Sequence, residues 1–166
     1  MKSLFILLSL LFAQNIYAQK SSCNCCTEKH AEFDFWVGEW TVTNADESIA
    51  GNSIIDKIQD NCVLRENWTS TSANYSGTSS NFYNYKDKQW EQIWIDNQGQ
   101  SLHLKGNLVG NQMILQTDEE TNAEGKQTFN RVTWTKNEDG TVRQLWEVVT
   151  SGSEISVAFD GLYKKK

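Results

Sequence analysis

A chain of 166 residues fits one domain with a substantial core. The formal charge of −6, with no basic face or stripe, excludes nucleic acid as an expected partner. Seven tryptophans are a heavy load for such a chain, and burying them calls for a packed core or a lined cavity.

The first residues read as a targeting signal. Lys2 supplies a basic start, Leu4 to Ala13 form an apolar run, and Gln14 and Asn15 end it before Ala18. That pattern predicts a secretory signal peptide over residues 1–18, too short to span a bilayer and followed by no second apolar segment. An exported protein, periplasmic or secreted and without a transmembrane segment, is the expectation. Lys20-Ser21-Ser22 lacks the aliphatic residue that lipid attachment at Cys23 would want.

Residues 19–27 carry three cysteines, Cys23, Cys25 and Cys26, and Cys62 stands alone. In an oxidising compartment this predicts a disulfide from the cluster to Cys62, with Cys26 or Cys25 as its partner and Cys26–Cys62 expected first. The cluster and His30 suit a soft metal in principle, but no second ligand pair follows at metal-site spacing, so no metal is expected.

From residue 28 to 166 the chain reads as one β-domain behind a short helix. Thr27 is placed to cap a helix through Glu28-Lys29-His30-Ala31. Strands are then predicted over 40–44, 52–58, 62–70, 77–85, 89–96, 101–107, 112–117, 127–136, 141–149 and 155–163. Turn residues such as Val109-Gly110-Asn111 and Glu138-Asp139-Gly140 separate them. Consecutive short strands with tight turns predict an all-β, antiparallel up-and-down barrel of about eight to ten strands, because closure removes the exposed edges.

Strand alternation predicts what the interior holds. On one face lie Leu64, Glu66 and Trp68; then Gly77, Ser79, Asn81 and Tyr83; then Trp90, Gln92, Trp94 and Asp96. The last strand offers Val157, Phe159, Gly161 and Tyr163. Large aromatic residues with sparse polar groups are what a ligand cavity requires, since apolar walls supply affinity and isolated polar atoms fix orientation. The strand over 141–149 mixes polar and apolar residues on both faces, which suggests a bulge.

Phe33 to Trp40, FDFWVGEW, contains the Gly-x-Trp element that opens the first strand of lipocalins and related calycin barrels. The chain resembles, more closely, a family of uncharacterised exported bacterial proteins with lipocalin-like barrels. The matching segments are FDFWVGEWTV, CVLRENW, GTSSNFY, WEQIWID, RVTW, VRQLWE and FDGLY, spread over nearly the whole chain beyond the signal. The resemblance implies a lipocalin-like barrel whose Trp40 closes one end beneath an arginine from a late strand, Arg131 or Arg143. It implies no settled activity. The chain lacks the later threonine-aspartate-tyrosine motif and the C-terminal helix of true lipocalins.

The function expected is binding of an apolar or amphipathic small molecule inside the barrel. Trp68, Tyr83, Trp90 and Trp94 are the expected walls, and Glu66, Asn81, Gln92 and Arg131 the polar anchors. Two alternatives are an enzyme using Glu66 or Glu147 as general acid or base, and a barrel filled by its own side chains. Catalysis has no nucleophile motif behind it. His103 lies opposite the apolar side of its strand, so neither haem nor another cofactor is expected.

Overall fold

A computed structural model describes residues 23–72 and 74–166; the expected signal peptide lies outside the described residues. Thr27 caps α1 (Glu28–Ala31) as its spacing suggests, its side chain accepting from the His30 backbone N–H. A 3₁₀ turn over Asp34–Trp36 follows and leads directly into the sheet.

The strands are β1 (Gly38–Thr43), β2 (Ile49–Ile58), β3 (Val63–Ser70), β4 (Ser76–Asn84), β5 (Gln89–Asp96) and β6 (Ser101–Val109). They continue with β7 (Gln112–Gln116), β8 (Glu120–Thr121), β9 (Gln127–Lys136), β10 (Val142–Thr150) and β11 (Ser156–Lys165). Each pairs antiparallel with its neighbour in sequence, except that β8 is a two-residue addition to β9 and β7 pairs past it with β9. The β1–β11 pairing closes the circle. The described residues therefore form a closed, antiparallel, ten-stranded lipocalin-like barrel with one short helix, and β8 is an appendage. Gly110, at φ 62°, shows why these turns are short: with Asn111 it makes the two-residue connection from β6 to β7, where a left-handed residue matches the twist of the strands.

One end of the barrel is shut. Phe33 and Trp36, from the segment before β1, insert beneath the strands and pack on Trp90 and Trp134, with ring centroids 5.8 Å and 5.3 Å apart for the Phe33 pairs. The Trp40 indole N–H donates to the Trp36 carbonyl (2.9 Å). Polar ties hold the plug in place: Trp90 Nε1 donates to Glu32 Oε2 (3.1 Å), and Lys57 Nζ pairs with Asp34 (2.6 Å).

A disulfide staples the same end, but not the one expected first. Cys25, 5% exposed, is joined to Cys62, and Cys26 is joined to Cys23. The physical reason is direction: Cys25 points into the packed layer where β3 begins, whereas Cys26 is exposed.

The cation over Trp40 is also not an arginine. Lys165 Nζ lies 5.3 Å from the centre of the Trp40 ring. Arg131 and Arg143 both face outward, paired with Glu147 (3.1 Å) and Asp160 (2.7 Å). The late-strand cation is present, but it arrives from β11.

Candidate functional site

The other end of the barrel is hollow. A cavity of about 350 Å³ extends from the middle of the barrel toward the β1–β2 and β3–β4 connections. Its walls carry six aromatic rings, from Trp68, Tyr75, Trp94, Trp146, Phe159 and Tyr163. That volume is at the lower end of the roughly 300–1,000 Å³ typical of small-molecule sites.

Backbone features make room for those rings. A Cβ on Gly77 would sit 2.3 Å from the Trp94 ring, one on Gly51 2.8 Å from Trp68, and one on Gly161 2.5 Å from Phe159. Each of these three wall aromatics thus packs directly on a glycine, where a side chain of any size would clash. Two β-bulges act at the same end. β2 loses register with β1 between Val42 and Thr43, and β11 loses register with β10 between Trp146 and Glu147. The extra residues, Ala50 and Ala158, both line the cavity. The bulge expected near β10 therefore falls on its partner β11, and it carries Val157 off the inner face to 60% exposure.

The floor is polar. Glu66 is fully buried, and each carboxylate oxygen accepts one hydroxyl: Oε1 from Ser53 (3.0 Å) and Oε2 from Ser79 (3.0 Å). Ser79 in turn accepts from Asn81 Nδ2 (3.0 Å), and Gln92 Nε2 donates to Asn81 Oδ1 (2.8 Å). Opposite this chain, the Tyr163 hydroxyl donates to Gln144 Oε1. Burial pushes the Glu66 carboxyl up to about 7, against the opposing pull of the Ser53, Ser79 and Tyr163 hydroxyls. Burial, with the Glu66 charge beside it, raises the Tyr163 phenol well above its ordinary value.

The expected site residues divide into four groups. Glu66, Trp68, Gln92 and Trp94 line the cavity together. Asn81 is buried one layer behind, fixing Gln92 and donating to the Leu64 carbonyl (3.0 Å). Tyr83 and Trp90 are on the inner face but at the shut end, where Trp90 packs on Phe33 and Tyr83 meets His30. They form the plug and do not reach the cavity.

Arg131 is on the wrong side of the wall. Val132 faces the cavity, so alternation turns Arg131 outward to its ion pair with Glu147. Glu147, the alternative acid–base residue, is outside with it. Asp96 caps a turn, accepting the backbone N–H groups of Gln98 and Gln100 (2.9 Å each).

Tyr75, Gln144, Trp146, Phe159 and Tyr163 complete the cavity without having been singled out as binding residues. The signal for Gln144 and Trp146 is their register: they pair with Trp134 and Val132, both inward. Tyr75 precedes β4 in a loop, where alternation is silent. His103, as expected, faces outward and is hydrogen-bonded to Glu91 (2.7 Å). Burial favours neutralising Glu91, but hydrogen bonds from Asn84 and His103 hold its carboxyl below the ordinary value.

Among the described residues no helix is long and apolar enough to cross a membrane, and all four cysteines are in disulfides. No family model matches this chain, and neither does any curated protein, so its function is read from the geometry of the site itself.

Proposed function

We propose that this protein binds an apolar or amphipathic small molecule in the open half of its barrel. The observation that carries the reading is the cavity: six aromatic residues in its wall, a small-molecule size, and a floor made by a buried hydrogen-bonded network around Glu66. A barrel that served only as structure would gain more from filling this space, because a void forfeits dispersion contacts and buried polar groups cost free energy. The shut end, where Trp36, Trp90 and Trp134 fill the interior, is the same barrel built that way.

The proposal includes export, which the two disulfides fit because such bonds persist in oxidising compartments. It also includes kinship with the exported lipocalin-like barrels that the FDFWVGEW segment resembles; Trp40 at the shut end under Lys165 supports that kinship. The test is extraction of the purified protein followed by mass spectrometry, with titration of apolar probes against tryptophan emission. A co-purifying small molecule, or saturable quenching lost on Trp94→Ala, is the expected result. A cavity that takes no probe would overturn the reading.

One observation favours a second reading. A carboxyl at about 7 is poised to exchange protons near neutrality, as an acid–base catalyst must be. Turnover of a bound molecule that disappears in Glu66→Gln, with binding intact, would establish it.

A further inference from the structure

We infer that the ligand of the cavity is an organic cation, a primary or secondary ammonium on a small apolar or aromatic body, whose charged end docks at Glu66. This rests on reading the cavity as a binding site, and it narrows the chemistry of the guest.

The first observation is charge. Among the described residues lining the cavity, Glu66 is the only carboxylate, and no lysine, arginine or histidine lines it. The nearby strand arginines, Arg131 and Arg143, face outward with their cations paired. An anionic guest would meet a carboxylate and no counter-charge in a poorly hydrated space, which disfavours it strongly.

The second is unused hydrogen-bonding capacity. A carboxylate offers about four acceptor sites; hydroxyls of Ser53 and Ser79 take one on each oxygen, and the neighbouring Tyr163 hydroxyl donates to Gln144. A primary ammonium has three donors and a secondary one two, and neither has an acceptor, so either can fill the two sites that Glu66 has left. Burial that disfavours the bare carboxylate is offset once a cation shares the pocket.

The third is the wall. Trp68, Tyr75, Trp94, Trp146 and Phe159 present ring systems around the space above Glu66. Aromatic faces attract cations, tryptophan most strongly, and more so when water is excluded. At the rim the Tyr75 hydroxyl reaches Asp96 (3.4 Å), which adds negative potential. The formal charge of −6 draws cations toward the molecule as a whole.

The experiment uses three probes that share one body: 2-phenylethylammonium, 2-phenylethanol and 3-phenylpropionate, each titrated calorimetrically into the intact protein at about pH 8, where Glu66 is ionised. The expected order is ammonium tightest, alcohol weaker by about tenfold or more, and carboxylate weakest. Glu66→Gln is expected to remove the ammonium's advantage, so that the ammonium and the alcohol bind about equally. The ranking on the unmodified protein decides the matter even if that variant does not fold. Equal or tighter binding of 3-phenylpropionate, or an ammonium preference that survives Glu66→Gln, overturns the inference while leaving the cavity a binding site. Failure of all three probes overturns the binding reading as well.

Discussion

The two halves of the barrel use the same residue for opposite ends. Trp36, Trp40, Trp90 and Trp134 belong to one packed cluster with Phe33 and Tyr163 at the shut end and are wholly excluded from solvent. Trp68, Trp94 and Trp146 stand around a void at the other end, two of them only partly buried. What separates the groups is the plug. Phe33 and Trp36 come from outside the barrel and fill the first half, and nothing among the described residues does the same for the second. A tryptophan therefore becomes core or wall according to what is inserted opposite it.

Substitution should separate the halves most sharply at Trp134 and Trp146. Trp134→Ala is expected to cost about 3–5 kcal/mol in urea unfolding, because a large side chain leaves a cavity in a packed layer. Trp146→Ala should cost less than half as much and enlarge the ligand space. Equal costs would erase the distinction. The Trp36 and Trp134 indole N–H groups have no protein acceptor, so phenylalanine at either position should be far milder than alanine.

The disulfides give the next largest effect. Cys25–Cys62 closes a separation of 37 residues at the shut end, and its removal by Cys62→Ser is expected to cost about 2–4 kcal/mol. Cys23–Cys26 spans only 3 residues and should matter less. Thermal unfolding of the two variants checks the order.

Glu66 makes the open half sensitive to pH. Its folded value of about 7 stands above the ordinary 4.5, so between these values the folded chain keeps a proton that the unfolded chain has lost. Stability from this group is fully present below about pH 4.5, falls as pH rises to about 7, and is constant beyond. The full span is on the order of 3 kcal/mol. Unfolding measured across that range should lose this slope in Glu66→Gln; a slope left unchanged would place its source elsewhere.

Gly77→Ala should displace the Trp94 ring, costing about 1–3 kcal/mol and weakening probe binding. The smallest effect is expected at Arg131. Its ion pair with Glu147 is partly exposed, so Arg131→Ala should change stability by only about 0–1 kcal/mol and leave probe affinity intact.

The sequence made the inner face legible and the height along the barrel illegible. Period-two alternation put Trp90, Gln92 and Trp94 inside, and Ile95, 52% exposed, confirms that parity. The same alternation gives no position along the axis, so Trp90 and Trp94 looked equivalent although only Trp94 reaches the cavity. Arg131 is different: the parity that places Val132 inside turns it out, so its outward position is legible from alternation alone. Three clustered cysteines cannot be ranked by spacing; the burial of Cys25 decides the pairing. A two-residue strand such as β8 has no period to detect.

The closure of the barrel joins the beginning of the sheet to its end. Trp40 to Thr43 pair with Leu162 to Lys165, the shortest ladder in the circle. Bringing such distant segments together carries the largest loop-closure cost, so this seam forms late in folding. It is also where amide hydrogens of the barrel wall should exchange first when the native protein breathes.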